Sequence, residues 1–231
     1  FEIKVAYLGP EGSFSEKAAK KHFGSSTNFV PCGSIREVID LVEENSEYYG
    51  VLPIENSTEG LVNSTLDEII ESNLKICSEI SIPINLSLIS KRNIALSSIK
   101  TIFAHSQAFA QSQSWMSKNL PKAIRKDVTS NSQGVLQSKR TNYSAAIAST
   151  EAAKKYDMKV LKRNIQDYKN NKTRFIIVGN HDVSATQEDK TSISIITKNK
   201  SGALSDILEK FKDQKINLTN IQSRPTKKNN W

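Results

Sequence analysis

Short apolar strands alternate with capped helices through most of the chain, and this alternation constrains the fold more than any other feature of the sequence. One such strand runs from Val51 to Ile54. Ser followed by Glu three residues later, at Ser13 and Glu16 and again at Ser34 and Glu37, is a pattern that begins helices. Strands that alternate with helices usually form parallel sheets. The sequence therefore predicts an α/β fold.

The alternation occurs in two blocks that an extended segment joins. The first block has predicted strands near 3–7, 29–30 and 51–54 and a helix over 14–23. The second has predicted strands at 101–103, before 129 and at 145–148, with helices over 107–118, after 130 and over 150–156. Residues 74–90 form the extended crossover, and the apolar run Ile176 to Val178 is predicted to return to the first sheet. We therefore expect subdomain one to contain 1–75 and 170–185, and subdomain two about 76–169.

Polar residues cluster where the predicted strands end. Ligands of open α/β sheets bind at the carboxyl ends of strands, and a helix N-terminus favours an anion. The sequence therefore predicts a cleft lined by such segments: the start of the helix at Ser13, 55–60, 105–107, 129–132 and 173–174. Each segment also has a plainer explanation, as a capping or connecting loop. Arg174 could pair with a surface carboxylate, and a lone His105 is more often a structural hydrogen-bonding group than a base.

The composition excludes several classes of function. The net charge of the 231 residues is +8, but Lys and Arg are scattered without interleaved aromatic residues, so nucleic-acid binding is not expected. The basic surface could steer a small anionic substrate. Cys32 and Cys77 stand far apart and the three histidines have no ligand spacing, so we expect no disulfide and no metal. Without a membrane-length apolar run or a signal pattern, we expect no membrane partner and a soluble cytoplasmic protein.

The C-terminal part of the chain has a different pattern. A polar linker follows Gly179, and an alternating strand is predicted over 191–197. Gly202 then opens a helix, and a second strand is predicted from Ile216 to Ile221. This order, βαβ, predicts a small additional domain over 190–231. The chain begins at Phe1 and ends at Trp231 within patterned segments, so we expect a fragment in which this domain is incomplete.

Together these segments resemble the prephenate dehydratase family. The matching stretches occur in the family's order: GPEGSFSEKA (9–18), VLPIENSTEG (51–60), HSQAFAQS (105–112), AAIAS (145–149), NIQD (164–167) and NKTRF (171–175). The resemblance implies a catalytic domain over 1–180, built of two Rossmann-like subdomains with a cleft like that of periplasmic binding proteins. No chorismate mutase segment precedes residue 1, so the monofunctional type is expected.

The resemblance also implies a reaction and roles for residues. Prephenate would lose carbon dioxide and its ring hydroxyl to give phenylpyruvate, with no cofactor. Thr173 matches the family's catalytic threonine and would stabilise the departing hydroxide. Asn56 and Gln111 would orient the substrate, while Glu55 either positions Asn56 or supplies a proton. The expected substrate-binding residues are Ser13, Phe14, Ser57, Ser130, Asn131, Arg174 and Phe175.

Residues 202–225 resemble part of the ACT regulatory domain. The resemblance implies feedback regulation by L-phenylalanine, and a homodimer or homotetramer that associates through 191–225. The expected effector-binding residues are Gly202, Ala203, Leu204, Ser223, Arg224 and Pro225. Gln222 replaces the Glu that is usual in the family, and Ala104 replaces a common Ser, so weaker feedback and a site with one hydroxyl fewer are expected.

Two alternative functions remain open at the level of sequence. An arogenate dehydratase uses the same scaffold on a substrate that carries an amino group, and the sequence does not separate the two dehydratases. A cleft-type binding protein would hold a small molecule without chemistry, and Thr173 would then have no special role.

Overall fold

The computed structural model describes residues 2–186, 188–197 and 200–224. The chain divides into two compact units, one up to Ala185 and one from Thr186 onward. The strands are Lys4–Leu8 (β1), Asn28–Cys32 (β2), Tyr48–Asn56 (β3), Gly60–Leu61 (β4), Lys75–Pro83 (β5), Ser87–Ser90 (β6), Thr101–Ala104 (β7), Ile124–Asp127 (β8), Ser144–Ala148 (β9), Lys159–Lys162 (β10) and Lys172–Gly179 (β11). The helices are Phe14–Phe23 (α1), Ile35–Glu44 (α2), Asn63–Glu71 (α3), Ser106–Gln111 (α4), Gln113–Asn119 (α5), Asn131–Arg140 (α6), Thr150–Lys155 (α7) and Ala203–Asp213 (α8).

The first sheet has the strand order β2-β1-β3-β11-β5, and β4 pairs with β3. β2, β1 and β3 are parallel, as the alternation with α1 and α2 predicts. β11 runs antiparallel between β3 and β5. The apolar run from Ile176 to Val178 therefore lies in the first sheet, where the sequence analysis places it. β5 lies there too, so the first sheet extends to Pro83, beyond the expected boundary at residue 75.

The second sheet has the strand order β10-β6-β9-β7-β8. β9, β7 and β8 are parallel, whereas β6 pairs antiparallel with β9 and β10. β10 is missing from the sequence prediction, since its four residues have only two apolar side chains. The two sheets together give a mixed α/β fold rather than wholly parallel sheets, because β11 in the first sheet and β6 in the second run antiparallel to their neighbours.

Local hydrogen bonds explain where the helices begin and end. The backbone N–H groups of Glu16 and Glu37 donate to the hydroxyls of Ser13 and Ser34, so both predicted caps form and α1 has its predicted bounds. The single helix predicted over 107–118 is wrong in one respect. It is interrupted at Ser112, a buried residue whose hydroxyl donates to the carbonyl of a residue four positions earlier, and it continues as α5.

Each sheet is covered on both faces by apolar side chains. Packed against the first sheet are clusters that include Val38 and Ile176 on one face and Tyr7 and Phe175 on the other. The second sheet carries one cluster around Ile102 and another around Ala146. Burial on both faces explains why β9 and the second half of β11 are continuous apolar runs.

Two short segments connect the sheets and run side by side. The backbone N–H of Ile84 donates to the carbonyl of Asn171 at 2.9 Å, and that of Ile165 donates to the carbonyl of Leu86 at 2.9 Å. The side chain of Gln166 accepts from the backbone N–H of Leu86. The hydrogen bonds between these two connecting segments hold the two subdomains together where they join. They therefore help to determine the width of the gap between the two sheets.

The unit from Thr186 contains the helix predicted after Gly202, now α8. The strands predicted over 191–197 and 216–221 are wrong, because the described residues there form no strand. Their apolar side chains are exposed, with Ile196 at 83%. Strands without a paired neighbour and a covered face are not stable, and the described part of this unit offers neither. Pro225 lies outside the described residues.

Candidate active site

A cavity of about 480 Å³ lies between the two sheets of the first unit. Asn56, Thr173 and Phe175 line it from the first sheet, and Gln111 and Asn131 line it from α4 and α6 of the second subdomain. This volume is in the range of small-molecule sites. In the cavity lining, as far as the described residues form it, Glu59 is the only ionisable side chain. The cavity therefore offers mainly neutral hydrogen-bonding groups.

Thr173 and Asn56 face each other across the β3–β11 ladder. They are register partners, and the Asn56 Nδ2 donates to the Thr173 Oγ1 at 2.8 Å. Thr173 is only 9% exposed, at the inner wall of the cavity. Because its oxygen accepts a hydrogen bond from Asn56, its own hydroxyl hydrogen remains available for donation into the cavity.

A smaller cavity of about 210 Å³ shares Phe14, Gln107 and Asn131 with the larger one. It is lined by Ser13 and Ser130, whose side-chain oxygens accept from backbone N–H groups in the first turns of α1 and α6. Two helix N-termini thus point toward one space. Their backbone dipoles favour an anion there without a cationic side chain.

The loop before α1 is held by the second subdomain. The hydroxyls of Ser132 and Tyr156 donate to the carbonyl of Glu11, and the hydroxyl of Ser149 donates to that of Gly12. Gly12 has φ +83°, and a Cβ there would approach Ala152 to 3.3 Å. Glycine is required at this position both for its left-handed backbone and for the close approach. The α1 N-terminus is thereby fixed against α6 and α7.

Arg174 and Glu55 lie on the opposite side of the ladder from the cavity. The guanidinium of Arg174 donates to Glu55 at 2.9 and 3.1 Å and to Glu79 at 2.8 Å. Partial burial opposes its charge, but these hydrogen bonds raise the pKa of Arg174 above its usual value. Side chains alternate along a strand, so the neighbour of Thr173 points away from the cavity. The structure therefore does not bring these two predicted site residues to the cavity.

Ser57 also lies outside the cavity lining. Its hydroxyl accepts from the backbone N–H of Lys172 at 2.9 Å and donates to the side chain of Asn171. These bonds join the end of β3 to the start of β11. The placement gives Ser57 a structural contact instead of a direct position for binding substrate.

The sequence prediction of site residues omitted Glu59 and Gln107, both of which line the larger cavity. Glu59 belongs to the polar loop that the sequence marks after β3, and Gln107 follows His105 in the segment after β7. His105 lines only the smaller cavity, where its side chain accepts from the backbone N–H of Gln107. The polar loops that contain Glu59 and Gln107 are predicted to line the cleft. A loop pattern, however, does not show which of its side chains points into the cavity.

The part of the chain that the structure describes contains no group of three or more His, Cys, Asp or Glu side chains that could hold a metal ion. None of the helices in the described ranges is long and apolar enough to span a membrane.

Known proteins resemble the chain over the region that forms the two cavities. A sequence model of prephenate dehydratase matches residues 5–183, which include both sheets and both cavities. The chain belongs to the prephenate dehydratase family. Members of this family thus share the part of the chain that supplies Asn56, Gln111 and Thr173.

Individual relatives extend the match over nearly the whole chain. A bifunctional chorismate mutase/prephenate dehydratase of Aquifex aeolicus is 43% identical over all of this chain and 63% of its own length. A prephenate dehydratase of Methanocaldococcus jannaschii is 36% identical over 97% of this chain and 83% of its own. The chain thus spans less than two thirds of the bifunctional relative. Relatives include both types, and the monofunctional type stays a prediction.

A solved structure has the same fold. The prephenate dehydratase of Arthrobacter aurescens in complex with L-Phe superposes with a TM-score of 0.84 and 30% identity, over 97% of this chain and 77% of that one. The mixed α/β architecture with two sheets is therefore that of the family.

Proposed function

We propose that the chain catalyses the decarboxylative dehydration of prephenate to phenylpyruvate, within the cavity between the two sheets. The observation that carries this function is the hydrogen bond from Asn56 to Thr173, which directs a hydroxyl donor into a small-molecule cavity. Membership of the family supplies the reaction class. The sequence and the geometry thus support the same site by independent routes.

The chemistry needs few groups from the protein. The bond between the ring and its carboxylate breaks and releases carbon dioxide, and its electron pair moves into the ring. That electron pair completes the aromatic ring as the bond to the ring hydroxyl breaks, and the departing hydroxide takes a proton from solvent to become water. Aromatisation drives the reaction, so the difficult event is the development of negative charge on the leaving oxygen.

We assign the stabilisation of that charge to Thr173. Its hydroxyl donates a hydrogen bond to the leaving oxygen as charge develops, while Asn56 holds the threonine oxygen from behind. A threonine hydroxyl is a weak acid, so it stabilises charge rather than transferring a full proton by itself. Gln111, across the cavity, orients the ring. Glu55 points away from the cavity, so we assign it to Arg174 and not to proton transfer.

The substrate carboxylates would be held by neutral donors. The N-termini of α1 and α6, with Ser13, Ser130 and the amide of Asn131, line the smaller cavity beside Phe14. Phe175 is buried and supplies an apolar wall to the larger one. Oriented N–H groups bind carboxylates well. This arrangement replaces the predicted contributions of Arg174 and Ser57.

We further propose the finer features of the family for this chain. The space between the sheets acts as a cleft that closes on substrate, as in periplasmic binding proteins. Residues 190–231 form part of an ACT domain that binds L-phenylalanine through 202–204 and 223–225 and associates with a second copy through 191–225. The L-Phe complex of the Arthrobacter aurescens relative supports phenylalanine as the effector. The exposed apolar side chains of this unit support association.

Arogenate is the second candidate substrate, and one observation favours it. The single ionisable group in the described cavity lining is the carboxylate of Glu59, which could accept from the ammonium group of arogenate. With prephenate that carboxylate gains no such partner. The choice between the two substrates is therefore a question for direct assay.

Purified protein should convert prephenate to phenylpyruvate without added metal or nucleotide. The test measures product formation from prephenate and from arogenate, each with and without a chelator. Turnover of arogenate alone would replace the substrate assignment. No turnover of either would favour a binding protein, and loss of activity with the chelator would contradict the cofactor-free mechanism.

A further inference from the structure

The loop after β3 carries two side chains that have no role in the proposed reaction of prephenate. Thr58 and Glu59 are both exposed, and both contact an amide side chain of the cavity. An amide group has a donor end and an acceptor end, so its use in a site depends on which end faces the substrate. The contacts of this loop decide that orientation for two amides.

Thr58 fixes the amide of Asn56. Its backbone N–H and its hydroxyl both donate to the Asn56 Oδ1, at 2.9 and 2.6 Å. With the oxygen end of the amide held by two donors, the nitrogen end must point toward Thr173, where it donates at 2.8 Å. Thr58 therefore acts on Thr173 through Asn56.

Glu59 fixes the amide of Gln111 across the cavity. Its Oε1 accepts from the Gln111 Nε2 at 2.8 Å. The main chain of Gln111 is anchored separately, because its carbonyl accepts from the backbone N–H of Asp167 at 2.7 Å. A carboxylate can only accept, so it holds the nitrogen end of the amide toward the loop. The second hydrogen of Nε2 and the side-chain oxygen Oε1 of Gln111 are then held in one orientation.

We propose that Thr58 and Glu59 are positioning residues, which orient Asn56 and Gln111 so that the two amides present fixed groups to the substrate. Glu59 also joins the loop of the first subdomain to α4 of the second, so it holds the two walls of the cavity together on this side. The effect of Thr58 and Glu59 on turnover rests on the proposed function. Their effect on the orientation of the Asn56 and Gln111 side chains does not.

The first experiment needs no substrate. Side-chain amide signals of Asn56 and Gln111 are followed by ¹⁵N–¹H NMR in the full chain, with Gln111→Ala used to assign the Gln111 pair. We expect Glu59→Ala to move the Gln111 signals and speed their exchange, and Thr58→Val to move those of Asn56. Glu71→Ala, an exposed glutamate at the end of α3, is the matched control and should move neither. Unchanged Gln111 signals in Glu59→Ala would overturn the positioning role.

The second experiment measures turnover. We expect Glu59→Ala to lower kcat about tenfold with KM changed by less than about threefold, since displaced orienting groups reduce reactivity. Glu59→Gln should stay within about threefold of wild type because its amide oxygen still accepts. Adding Glu59→Ala to Gln111→Ala should cost nothing further, as residues that act through one another are not additive.

The outcomes separate the two proposals. Turnover in Glu59→Ala equal to that of Glu71→Ala, with only a lower melting temperature, would reduce Glu59 to a structural contact. A wild-type chain without turnover on either substrate would refute the proposed function, while the amide spectra would still decide whether Thr58 and Glu59 orient the two amides.

Discussion

The two faces of the β3–β11 ladder carry different chemistry, although their residues are neighbours in the sequence. On the cavity face, Asn56 donates to the hydroxyl of Thr173 and no charge is involved. On the opposite face, Arg174 and Glu55 lie one residue away from Thr173 and Asn56, and Arg174 bridges Glu55 to Glu79 of β5. The first face places a neutral donor at a cavity, whereas the second places an ion pair at a partly exposed surface.

The difference follows from the two-residue period of a strand. Substrate binding needs the side chains that point inward, while the adjacent ones stabilise the sheet from outside. A motif read as one functional block, such as 171–175, therefore divides into residues that face the cavity and residues that support them. Substitutions on the two faces should differ in kind as well as in size.

Thr173→Val should have the largest effect. The change keeps the shape and β-branching of the side chain, so β11 should form as before. It removes the donor that we propose for the leaving oxygen, and such a loss lowers turnover by a factor of ~100 to ~1,000, or roughly 3–4 kcal/mol. Steady-state kinetics should show this in kcat with a much smaller change in KM, because the donor matters most as charge develops.

The matched control is Thr101→Val, which removes a hydroxyl at the start of β7, away from the cavity lining. It should leave kcat near wild type. Turnover of Thr173→Val within threefold of wild type, with only a lower melting temperature, would remove Thr173 from the mechanism.

Asn56→Ala should have the next largest effect. It leaves the hydroxyl of Thr173 in place but removes the donor that holds its oxygen, so the threonine can turn its hydrogen away from the substrate. We expect kcat to fall by about 10- to 100-fold, less than for loss of the donor itself. Asn73→Ala, at an exposed position after α3, is the control for the same chemical change. Equal kcat for the two variants would contradict the role of Asn56.

The sequence predicts the scaffold of this site well because its signals are local. Serine caps, strand runs and small residues around Ala146 are set by neighbouring positions, and the elements form close to where these patterns place them. The return of β11 to the first sheet is also predicted, but the placement of Thr173 beside Asn56 depends on the register of β11 on β3. The position of Gln111 opposite them depends on the packing of the second subdomain, and its role came only from the resemblance.

The features that the sequence could not predict depend on where a side chain points and on which neighbouring strand supplies its partner. The carboxylates that bind Arg174 come from β3 and β5, and only the register of the folded sheet brings them together. The predicted strands around Ile195 and Leu218 failed for a related reason. Alternation shows that a segment could be a strand, but a strand forms only where another strand and a core face are available.

Arg174→Met should have the smallest effect on activity and should test the outer face directly. The methionine keeps the aliphatic packing but leaves Glu55 and Glu79 without their shared cation. Because all three side chains are partly exposed, solvent screens the pair, and we expect the free energy of unfolding to fall by about 1 kcal/mol. Denaturant unfolding measures this loss, and raised salt should reduce it.

Turnover measurements on Arg174→Met show whether Arg174 binds substrate or only pairs with the two carboxylates outside the cavity. With its charge directed to two carboxylates outside the cavity, Arg174→Met should keep kcat and KM within about threefold of wild type, in contrast to Thr173→Val on the neighbouring position. A rise in KM of more than about tenfold, with little change in stability, would mean that Arg174 leaves Glu55 and binds a substrate carboxylate, as the resemblance implies. The paired variant Glu55→Gln distinguishes the cases further. It should lower stability to a similar extent if the ion pair is structural, and it should leave KM unchanged because the glutamate does not reach the cavity.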